Sequence, residues 1–444
     1  MINKLITRIH NLSPKLRQII KNISWLFADR ILRMGIGVIV VAWIARYLGL
    51  QQFGSFNYAM AFVALFYTFA RLGLDRIVVR DIINNPSDKE EILGTAFALK
   101  LIGGLIAWFL TIGTLILVRP NDMISQWLVG IIAAGTIFEA FDTIDFWFQV
   151  KVQSKYTVLA RNIVFIIMTG IRIILISIKA PLITFAWAIF LENLLGAVGL
   201  TIAYQVNGQN LKVWRVRWQR AKCLLKESWS LVVAGVAIMI YLRIDQVMLG
   251  QLADDRAVGI YSVTTRLSEI WYFIPIAIVS SVAPAITEAK QVSETIYYKK
   301  LQKLFNLMAL LAYSIAIPMT FFARNIMTIV FGQEYGSGSG VLSIQVWTGL
   351  FCFFGVAKSQ IWIINEGRTT YNLVEKCTGA VMNILLNLWL IPSYKEMGAA
   401  IATLISYAWA DYFMCLLYPP ARRIGWAMTK AMILNAFWHR RIDV

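Results

Sequence analysis

Charged and chemically reactive residues are scarce in this chain. Only 15% of its 444 residues are Asp, Glu, Lys or Arg, and it has two histidines and four cysteines. The cysteines are widely separated in sequence, and His10 and His439 lie in the terminal segments. This pattern argues against a disulfide framework and against a metal site built from Cys and His.

Sequence signatures of catalysis are also missing. The chain has no GxxxxGK[ST] phosphate-binding loop, no HExxH zinc motif and no GxSxG nucleophile turn. These absences count against ATP hydrolysis, a metalloprotease and a serine hydrolase. No stretch between the hydrophobic runs is long enough to form a catalytic domain. We therefore expect a protein that is not an enzyme, with neither catalytic residues nor a cofactor.

Hydrophobic residues make up 59% of the chain, and the mean hydropathy is +0.65. Soluble domains are usually about 45–50% apolar. Apolar runs of about 20 residues, the length that a transmembrane helix needs, recur to the end of the sequence. They lie near residues 23–45, 55–73, 93–118, 127–149, 158–178, 181–204, 229–250, 257–283, 304–323, 341–363, 373–391 and 397–418. The sequence predicts an all-α polytopic membrane protein with twelve transmembrane helices and no cleaved leader.

Positive charge is sorted between the loops. Most of the 42 Lys and Arg residues lie in the two terminal segments and in every second loop, and the alternate loops carry one each. Because basic loops stay on the cytoplasmic side, we expect both termini in the cytoplasm, which an even number of spans allows. The basic segments are too short to form a nucleic-acid-binding face, so nucleic acid is not an expected partner.

The two halves of the sequence resemble each other. Ser24-Trp25 is repeated as Ser228-Trp229, Leu48-Gly49 as Leu249-Gly250, and Phe53-Gly54-Ser55-Phe56 as Val258-Gly259-Ile260-Tyr261. Parallel repeats of this kind place a substrate site near mid-membrane, although inert scaffolds are duplicated too. The expected divisions are a basic interfacial segment (1–22), an N-terminal six-helix bundle (23–204), a cytoplasmic linker (205–227), a C-terminal six-helix bundle (228–418) and a cytoplasmic tail (419–444).

Arginines inside the predicted spans are candidates for binding an anion. Arg30 and Arg33 lie three residues apart in the first span and share a helix face. They are near the cytoplasmic end, so they either line a site or extend to the membrane interface as anchors. Arg243 and Arg266 lie deeper in their spans, where reaching the interface is difficult. Lys100 lies near a span end and is expected to be an anchor.

Acids inside the spans are candidates for cation coupling or for structural ion pairs. Glu139, Asp142 and Asp145 follow an i, i+3, i+6 pattern on one helix face, and Arg172 is their expected partner. Glu192 is another acid of this bundle. A structural salt-bridge network is the favoured interpretation, and a proton or sodium relay is the alternative.

The second bundle carries its own acids. Asp245 follows Arg243 closely, and Glu269 follows Arg266 by three residues, a spacing that allows the two to pair. These acids have the same two interpretations as those of the first bundle. Lys358 and Asp411 are expected to pair inside the second bundle.

Several short motifs resemble those of a known membrane protein family. They are Ala45-Arg46-Tyr47-Leu48-Gly49 with Phe53-Gly54 and Tyr58, Leu72-Gly73-Leu74, Val79-Arg80-Asp81, Phe146-Trp147-Phe148-Gln149, Phe331-Gly332-Gln333-Glu334-Tyr335 and Gly398-Ala399-Ala400-Ile401-Ala402. In order and spacing they are similar to those of the polysaccharide (O-antigen) flippases of the Wzx type. That family belongs to the multidrug/oligosaccharidyl-lipid/polysaccharide (MOP) exporter superfamily, which also contains the MATE multidrug extruders and the lipid II flippases.

The resemblance implies two pseudo-symmetric six-helix bundles in a MATE-like V. It also implies alternating-access transfer of an undecaprenyl-diphosphate-linked oligosaccharide across the bacterial inner membrane. Arginines suit a diphosphate, and by position Arg30, Arg33, Arg243 and Arg266 would hold it. The implied partners are the lipid-linked oligosaccharide, membrane lipids, a polysaccharide polymerase and glycosyltransferases.

Two other functions stay open at the level of sequence. A cation-coupled small-molecule exporter of the multidrug type would share the fold, but the arginines suit its mostly cationic substrates poorly. A membrane glycan polymerase or ligase would usually carry a large external loop, which this sequence lacks. The two extra C-terminal spans typical of lipid II flippases are also missing from the sequence.

Overall fold

The computed structural model describes the backbone of residues 14–433 and the side chains of residues 33–433. Residues 1–13 of the predicted interfacial segment, residues 434–444 of the predicted tail and the side chain of Arg30 lie outside this description.

Every regular element in the described part of the chain is helical. The α-helices in chain order are α1 (Pro14–Arg71), α2 (Asp75–Asn84), α3 (Lys89–Val118), α4 (Met123–Gly135), α5 (Thr143–Val150), α6 (Lys155–Ser177), α7 (Leu182–Val206), α8 (Trp218–Leu252), α9 (Asp255–Glu269), α10 (Phe273–Val292), α11 (Glu294–Phe321), α12 (Ala323–Phe331), α13 (Ser339–Gln345), α14 (Thr348–Ala357), α15 (Thr369–Ala408), α16 (Met414–Leu417) and α17 (Arg422–Met432). Short 3₁₀ helices cover Pro86–Asp88, Thr136–Asp142, Leu211–Val213, Ile270–Tyr272, Gln333–Gly338 and Pro419–Ala421. Two π-helical segments cover Lys358–Ile363 and Trp409–Phe413.

Nine helical stretches among the described residues are long and apolar enough to cross a membrane, and the bent pair Gln333–Gln345 and Thr348–Ile363 makes a tenth. Two of the nine contain a break in the helical backbone, at Gly49 and at Lys395. Dividing these two stretches at their breaks would bring the number of such segments in the described chain to the predicted twelve. The prediction of an all-α polytopic membrane protein is confirmed.

The two breaks differ in chemistry. Gly49 has φ of 69°, in the left-handed region that glycine adopts without a steric penalty. Lys395 has φ of 46°, which is unfavourable for a residue with a Cβ. Its ammonium lies 2.9 Å from the Asp254 carboxylate, in the turn between α8 and α9. The ion pair helps to hold the strained turn in place.

The chain forms two compact units. Among the described residues, one contains those up to Tyr47 and Phe62–Val236, and the other contains Leu48–Ala61 and those from Ala237 to residue 433. The turn around Gly49 and the first turns of the second span thus belong to the second unit. The predicted bundle boundaries stay a prediction.

The first unit has a core of buried side chains in which aromatic rings are prominent. Trp147 packs edge-to-face on Tyr204, with ring centroids 5.4 Å apart, and Tyr204 packs on Trp214 at 5.7 Å. Leu93 and Leu224 are among the apolar residues around them. This core fixes α5 against α7 and against the chain that follows α7, and so positions the polar side chains next to α5.

The second unit contains a close backbone contact between two glycine positions. A Cβ on Gly54 would overlap the Asp255 carbonyl, and a Cβ on Gly259 would overlap the Leu50 carbonyl. Ser55 donates a hydrogen bond to Asp255 in the same contact, at 2.5 Å. Gly54 and Gly259 are also the matching glycines of the sequence repeat.

The repeat has a second structural counterpart. Trp147, in α5, and Trp362, in the first π-helical segment, are both buried. Five positions after each tryptophan the backbone turns through a positive φ, of 53° at Val152 and 64° at Gly367. In both halves, therefore, a buried tryptophan is followed five residues later by a left-handed backbone conformation.

The predicted linker and the described part of the predicted tail both contain helix that belongs to a larger packed structure. In the predicted linker 205–227, helix α8 already begins at Trp218, so half of that segment is part of a long helix. In the predicted tail, α17 buries Ile424 and Met428. The Tyr313 hydroxyl of α11 donates to the Met432 carbonyl at 2.9 Å, so α17 is docked onto α11.

Candidate functional site

A polar cavity of about 400 Å³ lies inside the first unit. It is lined by Arg33, Tyr67, Arg71, Asp75, Phe138, Glu139, Asp142, Asp145, Phe146, Gln149, Arg161, Val164, Glu192, Asn193, Gly196, Ala197 and Leu200. The cavity volume falls in the usual range of ligand pockets, about 300–1,000 Å³. We call it the first-unit cavity.

The three acids predicted to share a face all line this cavity. The segment Thr136–Asp142 is a 3₁₀ helix rather than an α-helix. Residues three apart in a 3₁₀ helix lie on the same side, so Glu139 and Asp142 point the same way. Asp145 follows in α5 with the same spacing. The local backbone therefore strengthens the alignment that the sequence pattern indicated.

The predicted partner of these acids is wrong. The Arg161 guanidinium lies 2.9 Å from Asp142 and 3.8 Å from Asp145. Arg172 pairs instead with Glu192. Arg161 lies nearly two turns inside α6, in the first part of the predicted span 158–178, and Arg172 is too far along the same helix to reach the acids.

Arg33 is the predicted anion ligand of the first span that the structure describes. Its guanidinium lies over the Phe165 ring, 5.2 Å from the ring centre, and it lines the first-unit cavity. Arg71 also lines the cavity and pairs with Asp75. Sequence analysis did not propose Arg71, which lies at the end of the predicted span 55–73, as a site residue.

Lys100 was predicted to be an interface anchor, and this prediction is wrong. Its side chain is 1% exposed, and its ammonium lies 5.1 Å from the centre of the Phe146 ring, which lines the cavity. The spacing of small residues in α3 lets neighbouring helices approach closely. A Cβ on Gly103 would meet the Phe69 carbonyl at 2.5 Å. Such close packing leaves no route for a lysine to the interface.

In the second unit, Arg243 lies 3.7 Å from Glu269, too far for a hydrogen bond. Arg243 was not the predicted partner of Glu269, since the sequence paired that acid with Arg266. Arg266 lies one helical turn before Glu269 on α9, and it is half-buried. The structure thus brings both predicted arginines of this unit to the neighbourhood of one carboxylate.

Asp245 is buried among neutral groups. Its carboxylate accepts hydrogen bonds from Tyr261 at 2.7 Å, Thr403 at 2.8 Å and Asn387 at 2.5 Å. Among the described residues, Asp245 forms no salt bridge. A cavity of about 20 Å³ adjoins it and is also lined by Glu269, which is room for about one water molecule or a small ion.

A separate ionic network is buried in the second unit. Lys358 lies 2.7 Å from Glu375 and 3.6 Å from Asp411, and Lys376 lies 2.6 Å from Asp411. Lys358 and Glu375 have no exposed side-chain surface. Lys358 and Asp411 both pair inside the second unit, in line with the expected pairing within the bundle, but sequence analysis did not propose Glu375 or Lys376 as partners.

Both π-helical segments belong to this network. Lys358 opens the first and Asp411 lies in the second. The Asp411 carboxylate fits against Gly355, where any Cβ would overlap it. A π-helical turn inserts one extra residue into a helix, which re-aims its side chains. The paired turns thereby bring the opposite charges together inside the bundle.

Comparison with known proteins places this chain in a family. The family model described as "Polysaccharide biosynthesis protein" matches residues 19–290. The chain belongs to this polysaccharide biosynthesis protein family. The expected relation to polysaccharide exporters is confirmed at the level of the family.

Two curated relatives extend the match over most of the chain. A probable low-salt glycan biosynthesis flippase, Agl15, of Haloferax volcanii is 24% identical over 92% of this chain and 87% of its own length. A putative O-antigen transporter of Shigella dysenteriae is 23% identical over 89% of this chain and 98% of its own length.

Two solved structures share the fold of this chain. The lipid II flippase MurJ in an inward closed conformation superposes with a TM-score of 0.71 at 13% identity, over 96% of this chain and 94% of MurJ. An inward-facing multidrug MATE transporter of the MOP superfamily gives a TM-score of 0.67 at 12% identity, over 91% of this chain and 95% of that one. The fold is therefore of the MOP type.

Proposed function

We propose that this protein is a flippase that moves an undecaprenyl-diphosphate-linked oligosaccharide across the bacterial inner membrane by alternating access. The family, the two curated relatives and the MOP-type fold support a transporter for polysaccharide biosynthesis. Membrane lipids, a polymerase and glycosyltransferases are the proposed partners, and both termini are proposed to face the cytoplasm.

One observation supports diphosphate binding most directly. Arg243 is half-buried in a membrane-crossing helix, and its ion-pair contact with Glu269 is 3.7 Å long. This contact is too long for a hydrogen bond, and arginine pairs with phosphate oxygens through two parallel hydrogen bonds. We assign the diphosphate to Arg243 and Arg266, with Arg30 and Arg33 as further candidates from the first span.

Surface polysaccharide in a complemented deletion strain tests this assignment. Arg243→Ala and Arg266→Ala should each abolish export while the protein still inserts at normal levels. Arg243→Lys should retain part of the activity because it keeps the charge but loses the bidentate geometry. The matched control is Arg256→Ala, at an exposed position in the first turn of α9, which should export normally. Normal export by both interior variants would refute the assignment.

Asp245 is the proposed coupling residue. Its carboxylate is buried among hydroxyl and amide groups beside a cavity the size of one water molecule, so binding a proton or a small cation there would remove a costly buried charge. Asp245→Asn should make transport independent of an imposed ion gradient. Gradient-driven transport at the wild-type rate in Asp245→Asn would contradict this role.

A cation-coupled small-molecule exporter is the second candidate. The fold similarity to a multidrug MATE transporter and the carboxylates inside the first unit favour it. Deletion would then increase sensitivity to cationic drugs and leave surface polysaccharide unchanged.

A further inference from the structure

The charges around the first-unit cavity are balanced. Five carboxylates and three guanidinium groups line it, and two more cations, Lys100 and Arg172, lie just behind the lining. Ion pairs within salt-bridge distance include Arg71–Asp75, Arg161–Asp142 and Arg172–Glu192. A diphosphate requires a surplus of positive charge, and a lipophilic cation requires a surplus of negative charge. The described residues provide neither.

The same walls suit a neutral ligand with many hydroxyl groups. Guanidinium and amide groups, including those of Gln149 and Asn193, present N–H donors, and the carboxylates present acceptors. Two carboxylate oxygens, Glu139 Oε2 and Asp75 Oδ1, are buried and have no hydrogen-bond partner among the described residues. A buried acceptor without a partner is costly, so a hydroxyl donor that reached these atoms would be bound favourably.

Aromatic rings complete the composition of the cavity. Tyr67, Phe138 and Phe146 are part of the lining. A pyranose ring presents hydroxyl groups around its edge and apolar C–H groups on its faces, which stack on aromatic rings. A volume of about 400 Å³ accommodates a mono- or disaccharide and is too small for a polyprenyl chain together with its headgroup.

We propose that the first-unit cavity binds sugar residues of the transported lipid-linked oligosaccharide, separately from the diphosphate. This proposal rests on the proposed flippase function, and it assigns the phosphates and the glycan of the substrate to two separate sites. The arginines of the second unit bind the phosphates, whereas the first-unit cavity contacts the glycan and contributes to selection of the glycan. Arg33 thereby belongs to the wall of the sugar site.

Gly196 offers a way to block this cavity without a charge change. It lines the cavity, and a Cβ built there meets no atom within 4 Å. Gly196→Leu therefore fills the cavity without a backbone clash, and it replaces a helix-destabilising residue by a good helix former. Gly113 in α3 is a matched control, because its Cβ also has open space and it does not line the cavity.

The test measures equilibrium binding of three probes to the purified full-length protein. They are lipid-linked oligosaccharide extracted from the source cells, sugar-free undecaprenyl diphosphate, and ethidium as a lipophilic cation. Gly196→Leu should weaken binding of the glycosylated lipid at least tenfold and change that of undecaprenyl diphosphate less than twofold. Gly113→Leu should match the wild type with both. Asn193→Ala, which removes an amide and adds no volume, should weaken only the glycosylated lipid, at least threefold.

Three results would overturn the sugar site. The first is unchanged binding of the glycosylated lipid by Gly196→Leu and Asn193→Ala. The second is an equal loss of both lipids in these variants, which would place the phosphates in this cavity while leaving the flippase function intact. The third is ethidium binding that Gly196→Leu abolishes. If the wild type binds neither lipid, the flippase proposal fails and the sugar site fails with it.

Discussion

The two units of this protein use intramembrane charge in opposite ways. In the first unit, charged side chains surround a cavity of about 400 Å³, and Arg161 keeps 39% of its side chain exposed. In the second unit, Lys358 and Glu375 are fully buried and the Asp411 side chain is 2% exposed. An ion pair next to a cavity stays available to a ligand, whereas a fully buried ionic network can only hold helices together.

This difference assigns different roles to similar residues. In both units the cost of a buried charge is compensated by an oppositely charged neighbour. Of these two charge clusters, the one in the first unit lines a cavity of about 400 Å³. The charges at positions 139–161 are therefore candidates for substrate contact, and those at positions 358–411 are candidates for a structural role.

The largest expected effect comes from breaking the buried ionic network of Lys358, Glu375 and Asp411. Lys358→Met leaves Glu375 and Asp411 as buried carboxylates with one fewer cation, and removing one partner of a buried ion pair costs about 3–5 kcal/mol. We expect the variant to accumulate poorly and to melt far below the wild type in detergent.

The double variant Lys358→Met/Glu375→Leu is the control for this prediction. It removes both charges and leaves the Lys376–Asp411 pair in place. Thermal stability should recover most of the way, since apolar replacement of a whole buried pair is often neutral. A melting temperature of Lys358→Met equal to that of the wild type would show that the network is not structural.

Arg161→Met tests the ion pairs at the first-unit cavity. Its partners Asp142 and Asp145 face the cavity and solvent, so the folding cost should be smaller than that of Lys358→Met. Transport should fall at least tenfold while the melting temperature changes by only a few degrees. Loss of stability as large as that of Lys358→Met would remove the distinction between the units.

The glycine contact in the second unit should give an intermediate effect. Gly54→Ala places a methyl group against the Asp255 carbonyl, and overpacking of this kind costs about 1–3 kcal/mol. Gly35→Ala is the matched control, because nothing lies within 4 Å of its Cβ. A thermal melt in detergent measures both variants, and equal melting temperatures would contradict the backbone contact.

The smallest expected effect concerns Asp254 at the break near Lys395. Burial alone would raise the pKa of the Asp254 carboxyl, but hydrogen bonds from Lys395 and from the Ala257 N–H lower its pKa below the ordinary value. Because the folded-state pKa is depressed, the stabilisation is present above the unfolded pKa of about 3.9 and is lost as pH falls through the folded value.

Asp254→Asn tests this pH dependence. Asparagine still caps α9, so only the exposed ion pair is lost, at about 1 kcal/mol or less. The wild type and Asp254→Asn should differ slightly in melting temperature at neutral pH and converge at the acid end. A difference that grows with acidity would contradict the sign of the shift.

Sequence patterns predicted the elements of this fold because long apolar runs specify membrane helices directly. The i, i+3, i+6 acids were found for the same reason, since spacing alone sets a helix face. Arg71, Arg161, Glu375 and Lys376 were missed because each lies near an end of its predicted span, where a charged side chain usually reaches the membrane interface. The sequence does not show that helix packing buries Glu375 beside Lys358.

The most direct test of the proposed function is translocation in proteoliposomes that contain labelled undecaprenyl-diphosphate-linked oligosaccharide. The purified protein should move the label between leaflets, with no growth of the glycan, and Arg243→Ala and Arg266→Ala should reduce the rate to that of empty liposomes. Equal rates with and without the protein, or movement that both variants preserve, would contradict the proposed mechanism.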